Sequence, residues 1–295
     1  MHRSGFVALI GRPNVGKSTL LNALVKEKVA IISEQPQTTR NQIRAVLTRP
    51  NDQVIFIDTP GLHKPKHKLG STMVQKARNT MNEVDLIFFI VEGNQPPGAG
   101  DRYISEILHS TSSPVFLVLN KVDLVKTEKM SEYEELYQKL HYFTEHFKVS
   151  ALMKHNLEQL IETTVKYLPE GPQFYPPDMV TDQPERFIAA EIIREKLIAL
   201  TREEIPFSVA VAIEEMKPRE DGDLLDIRAE IYVERKSQVG IIVGKGGTLL
   251  KEVGTRARQE LEALFGQHIF LDLRAKVKRE WRNREEELRR LGYSD

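Results

Sequence analysis

The residues best suited to chemistry lie in four short stretches between residues 11 and 151. "GRPNVGKS" places Gly11, Gly16, Lys17 and Ser18 in the spacing G-x-x-x-x-G-K-[ST], with Arg12, Pro13, Asn14 and Val15 inside the loop and Thr19 after it. Backbone N–H groups turned inward at the positive end of a helix suit phosphate oxygens. The Lys17 ammonium suits β- and γ-phosphates, and the Ser18 hydroxyl suits Mg²⁺. "DTPG" supplies Asp58, Thr59, Pro60 and Gly61. Its carboxylate can hold the same cation through water, and the Gly61 N–H can meet a γ-phosphate. "NKVD" (120–123) supplies Asp123, an acceptor-only carboxylate for guanine N1–H and N2–H₂. Asn120 and Lys121 are expected to pack and tether that loop. "VSA" (149–151) brings Ser150 and Ala151, with the Ala151 N–H expected at guanine O6. An Asp-Thr-Pro-Gly turn alone is common and "VSA" alone is weak, but behind a phosphate loop and in this order the stretches form a set.

Elements must hold these loops in place. Of the apolar runs "FVALI", "QVIFID", "DLIFFIV", "PVFLVLN" and "HFKVS", all but the third end at or near one of them, and those after the second are separated by helix-compatible segments. Continuous apolar runs alternating with helices predict a mostly parallel sheet covered on both faces. "AVLTRPNDQVIF" differs: two strand-like runs joined by Pro-Asn-Asp predict one antiparallel hairpin at a sheet edge. The loops then fall beyond the carboxyl ends of the strands, where open α/β sheets bind ligands.

The pattern stops near Tyr167, where "LPEGPQFYPPDMVTDQPE" (168–185) reads as an ordered-to-extended linker. The expected division is a nucleotide domain over 1–170, a linker over 171–185 and a second, α+β domain over 186–295. In the second domain the spacing predicts a helix over 186–200 and strands over 207–216 and 224–235, joined by the turn-rich "KPREDGD". A helix from Thr248 to Phe265 ends at Gly266, a strand spans 268–277, and a charged helix runs from about Lys278 to Leu291. The stripe Leu249, Leu250, Val253, Ala257, Leu261 and Leu264 is expected to be core. Trp281, the only tryptophan, is expected to pack the last helix onto the sheet.

A second glycine-rich loop, "VGKGG", opens the Thr248 helix. It lacks the spacing of a second phosphate loop, and Leu249 occupies the last glycine position of G-x-G-x-x-G. What remains is G-x-x-G, Gly244 to Gly247, between two helices, after two strands and before a third. That order is the order of a type II KH domain, whose loop clamps a single-stranded backbone while bases lie along an apolar groove. Glycine suits the loop because a Cβ would block close approach of sugar-phosphate. Local charge agrees. Residues 235–258 carry Arg235, Lys236, Lys245, Lys251, Arg256 and Arg258 against Glu252. Residues 274–284 carry Arg274, Lys276, Lys278, Arg279, Arg282 and Arg284 against Glu280. The candidate RNA contacts are Arg235, Ile242, Gly244, Lys245, Gly246, Gly247, Lys251 and Lys276. Solvated helix faces with i,i+4 pairing are the alternative for the arginines of the last helix.

Composition excludes other classes. The 295 residues are 40% hydrophobic and 28% charged, with zero formal net charge and no cysteine. Disulfides, thiolate metal sites and cysteine nucleophiles are ruled out, and a reducing cytosol is the expected setting. No apolar stretch approaches the ~20 residues of a membrane span, and the start lacks a signal-peptide core. "GLHKPKHK" (61–68) has no acidic or cysteine partner at metal-ligand spacing and reads as a solvated loop.

The four stretches in order resemble the guanine-nucleotide fold of translation-associated GTPases. With "QTTR", "DTPGLH", "LPEG", "ERFIAAEIIREKL", "IYVER", "VGKGG", "KVKREW" and "LGY", the whole chain is similar to the Era family. The resemblance implies a P-loop GTPase fold followed by a KH domain. It implies a Mg²⁺-dependent GTPase that binds GTP and GDP and attaches to small-subunit (16S) ribosomal RNA near its 3′ end. It further implies help in maturing the small (30S) subunit, as a cytoplasmic monomer. Peripheral association with the inner face of the cell membrane is also attributed to the family. The family pattern puts a metal-binding threonine at Thr39, with Thr38 as the fallback, and makes 33–41 and 59–72 switch segments ordered by the third phosphate. Asn14 matches an asparagine that in related GTPases helps hold K⁺ in place of an arginine finger. The catalytic set implied is Lys17, Thr39, Gly61 and Asn14. One departure stands out: Leu62 occupies the place where many such enzymes carry a water-orienting glutamine. Two other classes remain open on sequence alone. One is an RNA chaperone with nucleotide as a structural ligand, and the other is a GTPase whose second domain binds protein.

Overall fold

The computed structural model describes residues 2–219 and 224–294. Its contacts divide the chain into two compact units. One holds the residues up to Lys66 with Gly70–Asp182, and the other holds His67–Leu69 and the residues from Gln183 on.

The first unit is a six-stranded sheet in the order β2-β3-β1-β4-β5-β6. Strands β1 (Arg3–Ile10), β3 (Asp52–Asp58), β4 (Leu86–Glu92), β5 (Val115–Asn120) and β6 (Glu145–Lys148) run parallel, as their continuous apolar runs require. Strand β2 (Ile43–Arg49) pairs antiparallel with β3 and forms the edge, as the Pro-Asn-Asp turn predicts. The helices are α1 (Lys17–Val25), α2 (Lys68–Met81), α3 (Ala99–Leu108), α4 (Thr127–Gln138) and α5 (Leu157–Tyr167). Every residue of β3 and β5 is buried. The register aligns Leu9 with Asp58 and Glu92 with Asn120. The loops after β1, β3 and β5 therefore leave the sheet at one edge.

The stretch expected as a linker is fixed to this unit over most of its length. Gln53 Oε1 accepts from the Phe174 and Tyr175 N–H groups at 2.8 and 3.0 Å. The Val46 N–H donates to Val180 O at 2.8 Å, and Arg44 pairs with Asp182 at 3.0 Å. The Phe6 and Phe174 rings lie 4.9 Å apart.

The second unit has α6 (Glu185–Leu200), α7 (Ile205–Ser208), β7 (Ala210–Pro218), β8 (Leu224–Val233), α8 (Lys236–Val243), α9 (Thr248–Phe265), β9 (His268–Val277) and α10 (Glu285–Arg290). Strands β7 and β8 are antiparallel, with a register shift between Ile213 and Glu215; β8 and β9 are parallel. Odd-numbered β8 residues from Leu225 to Val233, with Ile269, pack under Ile192, Ile193, Leu197, Val253, Ala257 and Leu261. By the two-residue period of a strand, Asp226, Arg228, Glu230, Asp272, Arg274 and Lys276 face away from those helices.

Two expectations change here. The helix drawn over 278–291 is broken: Trp281–Asn283 form a 3₁₀ turn, and only Glu285–Arg290 are helical. The reason is Trp281, which is fully buried, donates from Nε1 to Ser208 O at 2.8 Å and stacks on Tyr293. Seating that indole puts Glu280 in the left-handed region at φ 52, which ends any continuous helix. Leu264 is 45% exposed and leaves the core stripe. The turn "KPREDGD" falls partly on 220–223, outside the described residues. Helix α9 does end at Gly266, whose φ of 67 makes the left-handed C-cap that glycine tolerates.

Candidate functional site

The loop after β1 is set by close approaches. A Cβ on Gly11 would strike Ile90 O, and one on Gly61 would lie 2.7 Å from Pro13 N. Gly16 has φ 95, and a Cβ there would strike the Asn120 amide. Lys17 opens α1 and is buried. Its Nζ donates to Arg12 O at 2.9 Å and Gly11 O at 3.3 Å. Burial lowers its pKa to about 8, against the pull of Asp58, and Arg12 lowers it further. The ammonium is thus charged but poorly solvated, which primes it for a phosphate.

The candidate metal ligands converge. Ser18 Oγ donates to Asp58 Oδ2 at 2.6 Å and lies 2.9 Å from Thr39 Oγ1. Thr39 Oγ1 donates to Asp58 Oδ2 at 3.2 Å. Thr38 turns away and donates to Gln35 O at 2.6 Å. Asp58 Oδ1 is buried with no hydrogen-bond partner. Burial pushes the Asp58 pKa up, opposed by Lys17, Ser18 and Thr39. Two hydroxyls and a carboxylate with a spare buried oxygen form an all-oxygen set, which fits a hard cation such as Mg²⁺. Thr59 stands apart from this set. Its hydroxyl donates to Leu9 O at 2.8 Å and pins the loop after β3 to β1.

A cleft of about 750 Å³ runs from Lys17, Ser18 and Thr19 past Pro13, Asn14 and Gly61 to Asn120, Lys121, Asp123, Ser150 and Ala151. Asn120 Nδ2 donates to Val15 O at 2.9 Å, and Lys121 Nζ donates to Asn14 O at 2.7 Å. The tethering expected of these two residues is what the structure places there. The Ala151 N–H donates to Asn120 Oδ1 at 3.0 Å, at the Asn120 end of this cleft. The Arg12 side chain turns out of the phosphate loop, with Nε donating to buried Asp101 at 2.8 Å and Nη2 lying 3.6 Å from Glu92. Glu92 also pairs with Lys121. Sequence reasoning missed Asp101, which anchors Arg12, and Glu92, which ties the phosphate loop to the base loop; nothing local marks residues so far along the chain.

The position of the missing glutamine is settled by packing. Leu62 is 1% exposed, lies in the core with Ile57, Val74 and Val91, and donates its N–H to Gly11 O at 3.1 Å. His63 follows it, half-buried. Its Nδ1 donates to Gly61 O at 2.9 Å, and its Nε2 accepts from Gln37 Nε2 at 2.9 Å. Asn14 is exposed at φ 66, and its amide donates to Glu34 O at 2.5 Å.

The second unit carries the other candidate set. Gly244 has φ 74, and a Cβ there would sit 2.9 Å from Leu249. Gly246 and Gly247 have φ 62 and 81 with open space beside them. Lys245, Gly246, Lys251 and Arg235 are exposed. A groove of about 410 Å³ runs from Gly247 between α9 and β9, lined by Leu250, Lys251, Gly254, Arg258 and Leu273 among others. Two of the expected RNA contacts do not line this groove. Ile242 is fully buried in the core, so its side chain reaches no ligand; its neighbour Ile241 is the exposed one. Lys276 lies on the sheet face opposite the helices, pairs with Glu230 and is absent from the groove lining. Lys278, Arg282 and Arg290 are held by Glu287, Glu234 and Glu214.

A phosphate loop, an oxygen cage and a guanine-type carboxylate share one sheet edge, and a G-x-x-G turn sits in a separate α+β unit. Together they define a GTPase that carries a KH domain. Residues 6–121 match the family model described as 50S ribosome-binding GTPase, and residues 204–282 match the KH domain model. The chain belongs to the Era family of GTPases. It is 43% identical to a variant of Aquifex aeolicus Era solved with GDP and aluminium tetrafluoride, covering 99% of this chain and 100% of that one at a TM-score of 0.96. It is likewise 43% identical to Era solved with MgGDPNP and nucleotides 1506–1542 of 16S ribosomal RNA, covering 100% of both chains at a TM-score of 0.97.

Proposed function

We propose that this GTPase is a switch whose output is RNA binding. With GTP bound, it grips small-subunit ribosomal RNA near the 3′ end through its KH domain and assists 30S maturation. The observation that carries the reading is the end-to-end likeness to an Era structure holding a 16S segment, joined to an exposed G-x-x-G turn in this chain. The "50S" family description covers only residues 6–121, so the full-length likeness outweighs it. The functional division runs 1–170 for the GTPase domain, 171–185 for the linker and 186–295 for the KH domain, in a cytoplasmic monomer. A hold on the inner face of the membrane would rest on the family alone; among the described residues no helix is long and apolar enough to cross a bilayer.

In the nucleotide site, Lys17 sits where charge builds on the transferred phosphoryl group. Ser18, Thr39 and Asp58 would hold Mg²⁺, which when bound neutralises phosphate charge. The Gly61 N–H would meet the γ-phosphate, and Asp123 would select guanine. Buried Leu62 orients no water through a hydrogen bond, so unaided hydrolysis is slow. Asn14 is the residue for a K⁺ contact; equal turnover in KCl and NaCl removes that role.

Filter binding with a 16S 3′ fragment tests the reading. The expected result is tighter binding with GDPNP than with GDP, lost in Gly244→Asp and weakened in Lys245→Ala. Equal binding by wild type and both variants would leave the KH assignment without support.

A further inference from the structure

Gly254 stands in the interior of the 18-residue helix α9. Glycine weakens a helix interior relative to alanine, so its presence calls for a cause. Packing supplies none: a Cβ there would meet only Leu273 Cδ1, at an ordinary 3.5 Å. Backbone strain supplies none either, since Gly254 is absent from the positive-φ glycines. The added methyl would instead enter the groove between α9 and β9. Lys251 and Arg258, three residues before and four after, share its helix face and line the same groove. Both are exposed, and neither is ion-paired with a described residue. Arg256, outside the groove lining, is paired with Glu252 at 2.7 Å. The groove face therefore keeps its cations unpaired on either side of a bare backbone step.

We infer that Gly254 is a specificity-determining position of the RNA groove, where one unpaired base lies flat on the step formed by Gly254 and Leu273. Lys251 and Arg258 take the phosphates on either side. A step without a Cβ lets a flat aromatic ring approach the helix backbone more closely than any other residue would, and the glycine loop at Gly244–Gly247 delivers the strand to that step. This inference rests on the RNA reading above.

Gly254→Ala in the full chain with GDPNP tests it, using a single-stranded 16S 3′-terminal RNA and a circular-dichroism melt in parallel. The expected result is an affinity loss of about tenfold with an unchanged or raised melting temperature. Wild-type affinity in Gly254→Ala, while Gly244→Asp loses binding, overturns the inference and leaves the RNA reading standing. Indistinguishable binding by wild type and Gly244→Asp overturns both. A lowered melting temperature makes the glycine structural and overturns the inference. An equal loss in Gly240→Ala, a glycine of α8 outside the groove, overturns it too.

Discussion

The two glycine-rich loops use glycine for opposite reasons. Around the loop after β1, glycine makes room for the protein itself: Gly11 against Ile90 and Gly16 against the Asn120 amide, with Gly61, from the loop after β3, against Pro13. Polar groups there are locked: Ser18, Thr39 and Asp58 form one hydrogen-bonded set, and Lys17 Nζ is held by Gly11 O and Arg12 O. In the 244–247 loop, Gly246 and Gly247 have nothing within 4 Å, and Lys245 is exposed. One site is assembled before its ligand arrives; the other leaves its backbone and charge in water. A compact ligand whose transition state needs precise charge placement rewards preorganisation. A long flexible polyanion is held by open surface and released counterions.

Lys17→Met pushes hardest on that contrast. GTP turnover should fall about 10³-fold, because the buried cation faces the charge that develops on the phosphoryl group. The nucleotide-free protein should gain stability at pH 7, by about 2 kcal/mol, since removing a desolvated ammonium removes its burial cost. The sign follows from the direction of the shift. The folded pKa of about 8 lies below the unfolded value, so the cost is complete below pH 8 and fades as pH rises toward 10.5. Urea denaturation of both proteins at pH 7 and 9.5 checks this. A variant less stable than wild type at pH 7 would mean that the loop is not strained by its own cation.

The legibility of the two regions differs in the same way. The nucleotide loops are readable because residue type and spacing encode them, and the apolar runs name the strands that carry them. The Arg12 guanidinium is not readable, since it turns to Asp101, 89 residues away, and only the folded sheet brings them together. In the second unit, strand and helix order dictate the topology, but facing does not follow from charge counts. Lys276 belongs to a strand whose core face is set by Ile269, and a two-residue period puts it on the far side. Ile242 resembles groove lining because it adjoins the loop, yet helix α8 turns it inward. The last helix is shorter than its charge pattern predicts because propensity counts cannot see one tryptophan seeking a buried carbonyl.

A matched pair of substitutions sharpens the comparison. Gly16→Ala meets both a positive φ and the Asn120 amide, so it should cost about 3 kcal/mol of stability and loosen the base loop. Gly246→Ala meets only the positive φ and should cost about 1 kcal/mol. Urea midpoints at constant slope give both numbers. Equal costs would show that the second loop is as tightly built as the first.

The smallest expected effect concerns salt. Lys251 and Arg258 line the groove unpaired, whereas Arg256 is tied to Glu252. A cation that meets a phosphate releases about one counterion from RNA, and a cation already neutralised by a carboxylate releases less. Lys251→Ala and Arg258→Ala should therefore each lower the slope of log affinity against log salt by about 0.7, the value for single strands, while Arg256→Ala changes it by less than half as much. Titrations of a 16S 3′ RNA between low and physiological KCl supply the slopes. Should Arg256→Ala match the other two, exposure alone and not groove position would set which charges the strand meets, and the open loop would be an electrostatic surface without a track.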